Sequence, residues 1–152
     1  MYENPELCKA CGGECCRYLP GAAMPEDFGL PGEATSLLAA LASGRWTIDW
    51  WEGDPRPGED SLSHAYFVRP ATKGNEGERY DPSWGGVCTF LSTDGCELPP
   101  EARPALCRFL EPRADGNCIK HGVTKQEASI AWLDWADLLM DSDGPFGERI
   151  LP

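Results

Sequence analysis

Eight cysteines set the chemistry this chain can do. Four stand within nine residues, C-K-A-C-G-G-E-C-C, as Cys8, Cys11, Cys15 and Cys16. Cys88, Cys96 and Cys107 fall within residues 85–108, and Cys118 follows with His121 three residues on. A C-x2-C knuckle lets two thiolates reach one ion, because its tight turn leaves both sulfurs on the same side. Gly12 and Gly13 come directly after it and permit positive φ or a close approach of backbone to a metal. Cys15 and Cys16 are adjacent, and the preferred disulfide geometry is hard to reach between neighbours. One of the pair can ligate while the other packs or serves a second ion. Thiolates favour zinc, copper(I) and iron–sulfur clusters over hard cations.

All eight cysteines, Cys8, Cys11, Cys15, Cys16, Cys88, Cys96, Cys107 and Cys118, are therefore candidate metal ligands. They would fill two tetrahedral sites of four thiolates each. Alternatively, four hold one iron–sulfur cluster and the rest are structural. His121 and His64 are the further nitrogen donors to weigh, although a lone histidine inside a strand is more often structural. The N-terminal and central clusters are expected to come together around metal, so that one ion closes the long loop between them and clamps the domain.

Composition explains why such a clamp is needed. Leu, Ile, Val and Phe make up about 18 % of the 152 residues, under the roughly 20 % at which a highly charged chain is suspected of disorder. The net charge is -12. Six tryptophans and the cysteines oppose that suspicion, since a thin aliphatic core is usually stapled by disulfides or metal. Met1 to Glu6 is acidic and polar, unlike a secretory leader. The expected compartment is the reducing cytoplasm, where disulfides are rare. No stretch approaches the roughly 20 apolar residues of a membrane span. Thirteen Lys and Arg face 25 carboxylates, which argues against a phosphate backbone as partner. Arg17 and Arg108 flank cysteines and are read as offsets to thiolate charge. The expected partner is a metal ion.

The elements that must position these residues are short. Residues 33–43 read as a helix ending at Gly44, with Leu37, Leu38 and Leu41 on one apolar face. Residues 45–52 alternate Trp46, Ile48 and Trp50 on one side, as a half-buried strand does. Residues 61–69 suit a second strand, making 45–69 a hairpin with a long loop that carries His64. Residues 70–86 are loop. Residues 87–91 read as a strand, and Ser92-Thr93-Asp94-Gly95 as a turn flanked by Cys88 and Cys96. Residues 101–110 form a short helix with Arg103 on the face of Cys107. Residues 124–141 are the clearest helix. Thr124 and Glu127 make a capping box, and Ala128, Ala131, Trp132, Trp135, Leu138 and Leu139 form its apolar face. Asp134, Asp137 and Asp141 lie largely off that face, as a solvated row. The fold class is α+β: a small, irregular, loop-rich single domain over residues 1–152, organised around cysteine-ligated metal. The 17 glycines and 14 prolines account for the irregularity.

The chain has no Ser–His–Asp order, no H-E-x-x-H, no phosphate loop and no nucleotide fingerprint. Two histidines leave little general acid–base chemistry, and no catalytic residue is assigned. The reading is a zinc- or iron-chelating protein. The alternatives are an iron–sulfur redox protein, a metal-dependent enzyme with an open coordination position, and a metal store with labile thiolates.

Two motifs resemble the YkgJ-type cysteine-cluster family, a zinc- or iron-chelating domain. The first is C-x2-C-G-x2-C-C from Cys8 to Cys16. The second is C-x-F-L-x4-C-x6-R-P-x2-C-R, which also specifies Phe90, Leu91, Arg103, Pro104 and Arg108. The match covers about 30 residues. The spacing between Gly12 and the cysteine pair is one residue longer than the family's usual form, and the segment before Arg103 is slightly longer. The resemblance implies metal chelation by a small bacterial protein.

Overall fold

The computed structural model describes residues 20–81, 86–92, 95–99, 102–108, 110–111, 119–120 and 124–140. Aromatic and β-branched residues favour strands, and they build the central hairpin. Strand β1 (Trp46–Glu52) pairs antiparallel with β2 (His64–Pro70), in a register running from Trp46 opposite Pro70 to Glu52 opposite His64. The connecting loop is tied at its base by Gly53 N–H donating to Ser63 O at 2.7 Å. Asp54 accepts from Arg56 Nε at 2.9 Å, Arg56 Nη2 at 2.7 Å and Leu62 N at 3.3 Å. Gln126 Nε2 donates to Pro55 O at 2.6 Å, which fastens the loop to the last helical segment.

Both edges of the hairpin are covered, which removes the unpaired backbone groups of a bare edge. Ala23 N donates to Val68 O at 2.8 Å along β2. Along β1, Ile48 N donates to Arg79 O at 2.9 Å and Asp81 N to Ile48 O at 3.1 Å. The second side of β1 is covered too. Thr47 and Asp49 are buried along with Ile48, so the strand is not half-solvated as its alternation implied. The reason is the polar segment 72–81, which packs its own side chains there.

The main core gathers Phe28, Leu30, Leu37, Ile48, Phe67, Val68, Trp132 and Leu139. Helix α1 (Thr35–Ala42) contributes Leu37, fully buried, while Leu38 is 48 % exposed. The apolar face expected of three leucines is therefore narrower by one. At its end, Gly44 has φ +80° and its carbonyl accepts from Gly77 N at 2.8 Å. A Cβ at Gly44 would stand 3.1 Å from the Gly77 backbone, so both the turn and the close approach need glycine.

The segment after Thr124 is helical but not continuous. Thr124 caps α3 (Lys125–Ala131) by accepting from Glu127 N at 3.1 Å. A 3-10 turn, Trp132–Trp135, then leads to α4 (Ala136–Leu139). Trp132 is fully buried and its Nε1 donates to Ala23 O at 2.8 Å. Trp135 also packs on the core. Side chains at i and i+3 eclipse in 3-10 geometry, so the tighter turn keeps both tryptophans on one side. Asp134 and Asp137 are exposed, and Asp141 lies outside the described residues.

The central cysteine stretch is built from turns. The strand expected over 87–91 is a single bridge, Thr72 opposite Cys88, followed by a turn in which Leu91 N donates to Cys88 O at 3.0 Å. Strand β3 (Leu91–Ser92) then pairs with β4 (Gly95–Cys96). The next helix, α2 (Ala105–Arg108), starts only after Pro104. A proline biases the residue before it away from helical geometry, so Arg103 precedes the helix and does not share a face with Cys107. Its Nε donates to Leu98 O at 3.0 Å. Strands β5 (Leu110–Glu111) and β6 (Ile119–Lys120) pair antiparallel. The architecture is α+β. Among the described residues no helix is long and apolar enough to cross a membrane.

Candidate metal centre

Cys88, Cys96 and Cys107 are thiols, not disulfides. Cys88 forms a small second core with Phe90 and Leu91, on which Cys96 and Leu98 pack. The β3–β4 pairing places Cys96 opposite Leu91, which brings it back toward Cys88. Burial pushes the Cys88 thiol up to about 11. A backbone hydrogen bond from Phe90 opposes the rise, the electrostatic influence of Cys96 adds to it, and Arg69 and Arg45 counter it. A buried thiol in this setting is neutral at pH 7, and an incoming metal must displace its proton.

Arg45 holds this loop, and a second arginine, Arg69, lies near Cys88. Arg45 Nη2 donates to Thr89 O at 2.9 Å and to Glu97 Oε2 at 2.7 Å, and the guanidinium lies 4.2 Å from the centre of the Phe90 ring. It ties the residue after Cys88 to the residue after Cys96. Arg69 is completely buried. Its Nε donates to Asp49 Oδ2 at 2.7 Å and its Nη1 to Pro70 O at 2.9 Å. Its Nη2 stands 3.3 Å from Asp81 Oδ2, near enough for an ion pair but not aligned as a hydrogen bond. Thr72 donates to the same Asp81 oxygen at 2.9 Å, and Asn75 Nδ2 donates to Thr72 Oγ1 at 3.0 Å. This buried network lies behind the Thr72–Cys88 bridge. Sequence reasoning missed it. The available signal was Asp49 two residues from Thr47, the strand partner of Arg69, which puts both charges on one side of the hairpin.

Cys107 has different neighbours. Its Sγ faces Gly21, where an added Cβ would lie 2.7 Å from the sulfur and 3.0 Å from Leu106 Cβ. Leu106 N donates to Ala22 O at 3.2 Å. Asp27 Oδ2 accepts from Ala105 N at 3.0 Å at the start of α2 and from Met24 N at 2.9 Å. Segment 21–27 is thus built against the helix that carries Cys107.

The structure therefore brings Cys88 to Cys96, and Cys107 to the chain at Gly21. Among the described residues no group of three or more His, Cys, Asp or Glu side chains converges as a metal site. Cys8, Cys11, Cys15, Cys16, Cys118 and His121 lie outside the described residues. His64 stands at the start of β2, its Nδ1 2.9 Å from Ser63 Oγ and its ring edge-on to Tyr66 at 5.3 Å. As a donor set, the buried Cys88 and the half-buried Cys96, with two guanidinium groups nearby, suit a thiolate-bound zinc or iron ion, because the cations offset the charge left when thiols lose their protons. No protein-family model matches the chain, and no curated protein and no solved structure matches it. The resemblance in the cysteine spacing rests on its two motifs alone.

Proposed function

We propose that this chain is a metal-chelating protein in which the N-terminal cysteines and the central cysteines jointly hold zinc or iron. The observation that carries the reading is the packing of Gly21 on Cys107 Sγ. Cys16 is five residues before Gly21, and a chain spans at most about 3.6 Å per residue. Covalent geometry thus keeps Cys16 within about 18 Å of Gly21, and Gly21 lies on a central thiol. On this reading Cys8, Cys11, Cys15 and Cys16 supply one part of the donor set, and Cys88, Cys96, Cys107 and Cys118 the other. Their spacing resembles that of the YkgJ-type chelating domain, which supports the same assignment. When bound, the metal supplies a cross-link between chain ends that the thin core lacks, and its role is structural or sequestering.

The test is metal content of anaerobically purified protein, followed by chelation. One to two zinc or iron ions per chain are expected, and their removal should abolish cooperative thermal unfolding, since structural zinc contributes on the order of 10 kcal/mol to folding. A metal-free protein with unchanged circular dichroism and Tm would overturn the structural role. Iron with equimolar sulfide would instead place the same cysteines around a redox cluster.

A further inference from the structure

A cavity of about 350 Å³ lies between the loop end of the β1–β2 hairpin and the last helical segment. Its size falls at the small end of the range for ligand pockets, about 300–1,000 Å³. The floor holds Ala65, Tyr66 and Trp132, all buried. That floor offers no hydrogen bond. The Trp132 Nε1 proton is already given to Ala23 O at 2.8 Å. The Tyr66 hydroxyl is closed to solvent and has no hydrogen-bond partner among the described residues, so what Tyr66 presents to the cavity is not its hydroxyl. The walls are apolar, from Leu62, Leu133, Ala136 and Met140.

Polarity is confined to the mouth, where Ser61, Ser63, His64 and Asp137 stand. Asp137 carries the one full charge among the described lining residues, and no Lys or Arg accompanies it. Burial lowers the pKa of His64, against an opposing pull from Glu52, so its ring is neutral at pH 7 and adds no positive charge. The whole chain carries -12. An anion meets only repulsion here. A fully neutral apolar molecule fills the floor but gains nothing from the exposed carboxylate of Asp137 at the mouth. A molecule with an apolar body and one ammonium end satisfies both parts at once, its body on the floor and its charge at the mouth.

We propose that this cavity binds a small apolar amine, with Asp137 as the counter-ion and the Leu62–Leu133–Met140 walls around the hydrocarbon. None of the described lining residues is a cysteine.

The test uses full-length protein labelled with 13C at the methionine methyls. Of the three methionines, Met140 lines the cavity, whereas Met24 packs on the main core and serves as control. Benzylamine, benzyl alcohol and benzoate are the probes, matched in shape and differing in charge. Benzylamine should shift the Met140 signal saturably and leave Met24 in place. The alcohol should bind about threefold more weakly, as expected for loss of one exposed ion pair, and benzoate more weakly still. Asp137→Asn should bring benzylamine down to the affinity of the alcohol. Ala136→Leu fills the cavity and should abolish the Met140 response without lowering Tm. If that variant loses its fold, the Asp137→Asn comparison decides alone. The proposal is overturned by no saturable response to benzylamine, by benzoate binding as tightly as the amine, or by unchanged amine affinity in Asp137→Asn.

Discussion

Gly21→Ala adds one methyl group at the place where the N-terminal part of the chain meets the central cysteines. That methyl would lie 2.7 Å from Cys107 Sγ, 3.0 Å from Leu106 Cβ and 3.3 Å from Cys107 N. The last of these is backbone of α2 and cannot swing aside. Gly21 is not among the glycines with positive φ, so the penalty is steric and not conformational. Over-packing a close contact costs about 1–3 kcal/mol. The metal-free protein can relieve it by shifting Pro20 and Gly21 off α2, while Ala23 stays bonded to Val68 and Trp132. The metal-bound protein cannot, if cysteines from both sides share an ion. The cost should then appear as weaker metal binding, by about 5- to 150-fold at about 1.4 kcal/mol per decade. The assay is competition for zinc against a chromophoric chelator. A second variant separates the contact from the ligand: Cys96→Ser removes a thiol without touching Gly21, and its loss of affinity should multiply with that of Gly21→Ala. Unchanged zinc affinity in Gly21→Ala, with Tm lowered or not, would refute the idea that the Gly21–Cys107 contact couples the two cysteine groups.

Further tests address the frame around the site. Arg69→Leu leaves Asp49 and Asp81 buried without their cation, and should destabilise by about 3–5 kcal/mol in urea denaturation; a loss under about 1 kcal/mol would mean that the network is solvated. Trp132→Ala removes the largest fully buried side chain among the described residues and its bond to Ala23, with an expected cost of about 3–5 kcal/mol and a lower Tm; a Tm equal to that of the parent would exclude Trp132 from the core. Asp54 is held well below the usual carboxylate range by hydrogen bonds from Arg56, against desolvation. A depressed folded pKa stabilises above the unfolded value, about 3.9, and the benefit is lost as pH falls from there through the folded value. Asp54→Asn should therefore lower Tm at pH 7, with the difference from the parent shrinking below about pH 4; a difference that persists undiminished in acid would rule out the ionised carboxylate as its source.

Local pattern was a good guide wherever one element carried its own signal. The hairpin over 45–69, the Thr124 cap of the helix after it and the pairing of Leu91–Ser92 with Gly95–Cys96 all follow from neighbouring residues, and each is present. It was a poor guide to faces. Leu38 is exposed and Thr47 buried, because which side of a helix or strand is covered depends on segments distant in sequence. The helix over residues 124–141 was legible in its periodicity, but its 3-10 interruption follows from where two tryptophans must pack.

The residue types by themselves determine that this chain can offer eight thiolates, that its aliphatic core is thin and that its field is negative, since these are properties of composition and spacing. Only the tertiary structure decides which residues meet. It puts Cys88 beside Cys96, Gly21 against Cys107, and Arg69 between Asp49 and Asp81. The Gly21–Cys107 and Arg69–Asp81 contacts join segments that share no local pattern. Burial makes them matter, because charges and thiols taken out of water respond to their immediate neighbours far more strongly than to the solvent they have lost.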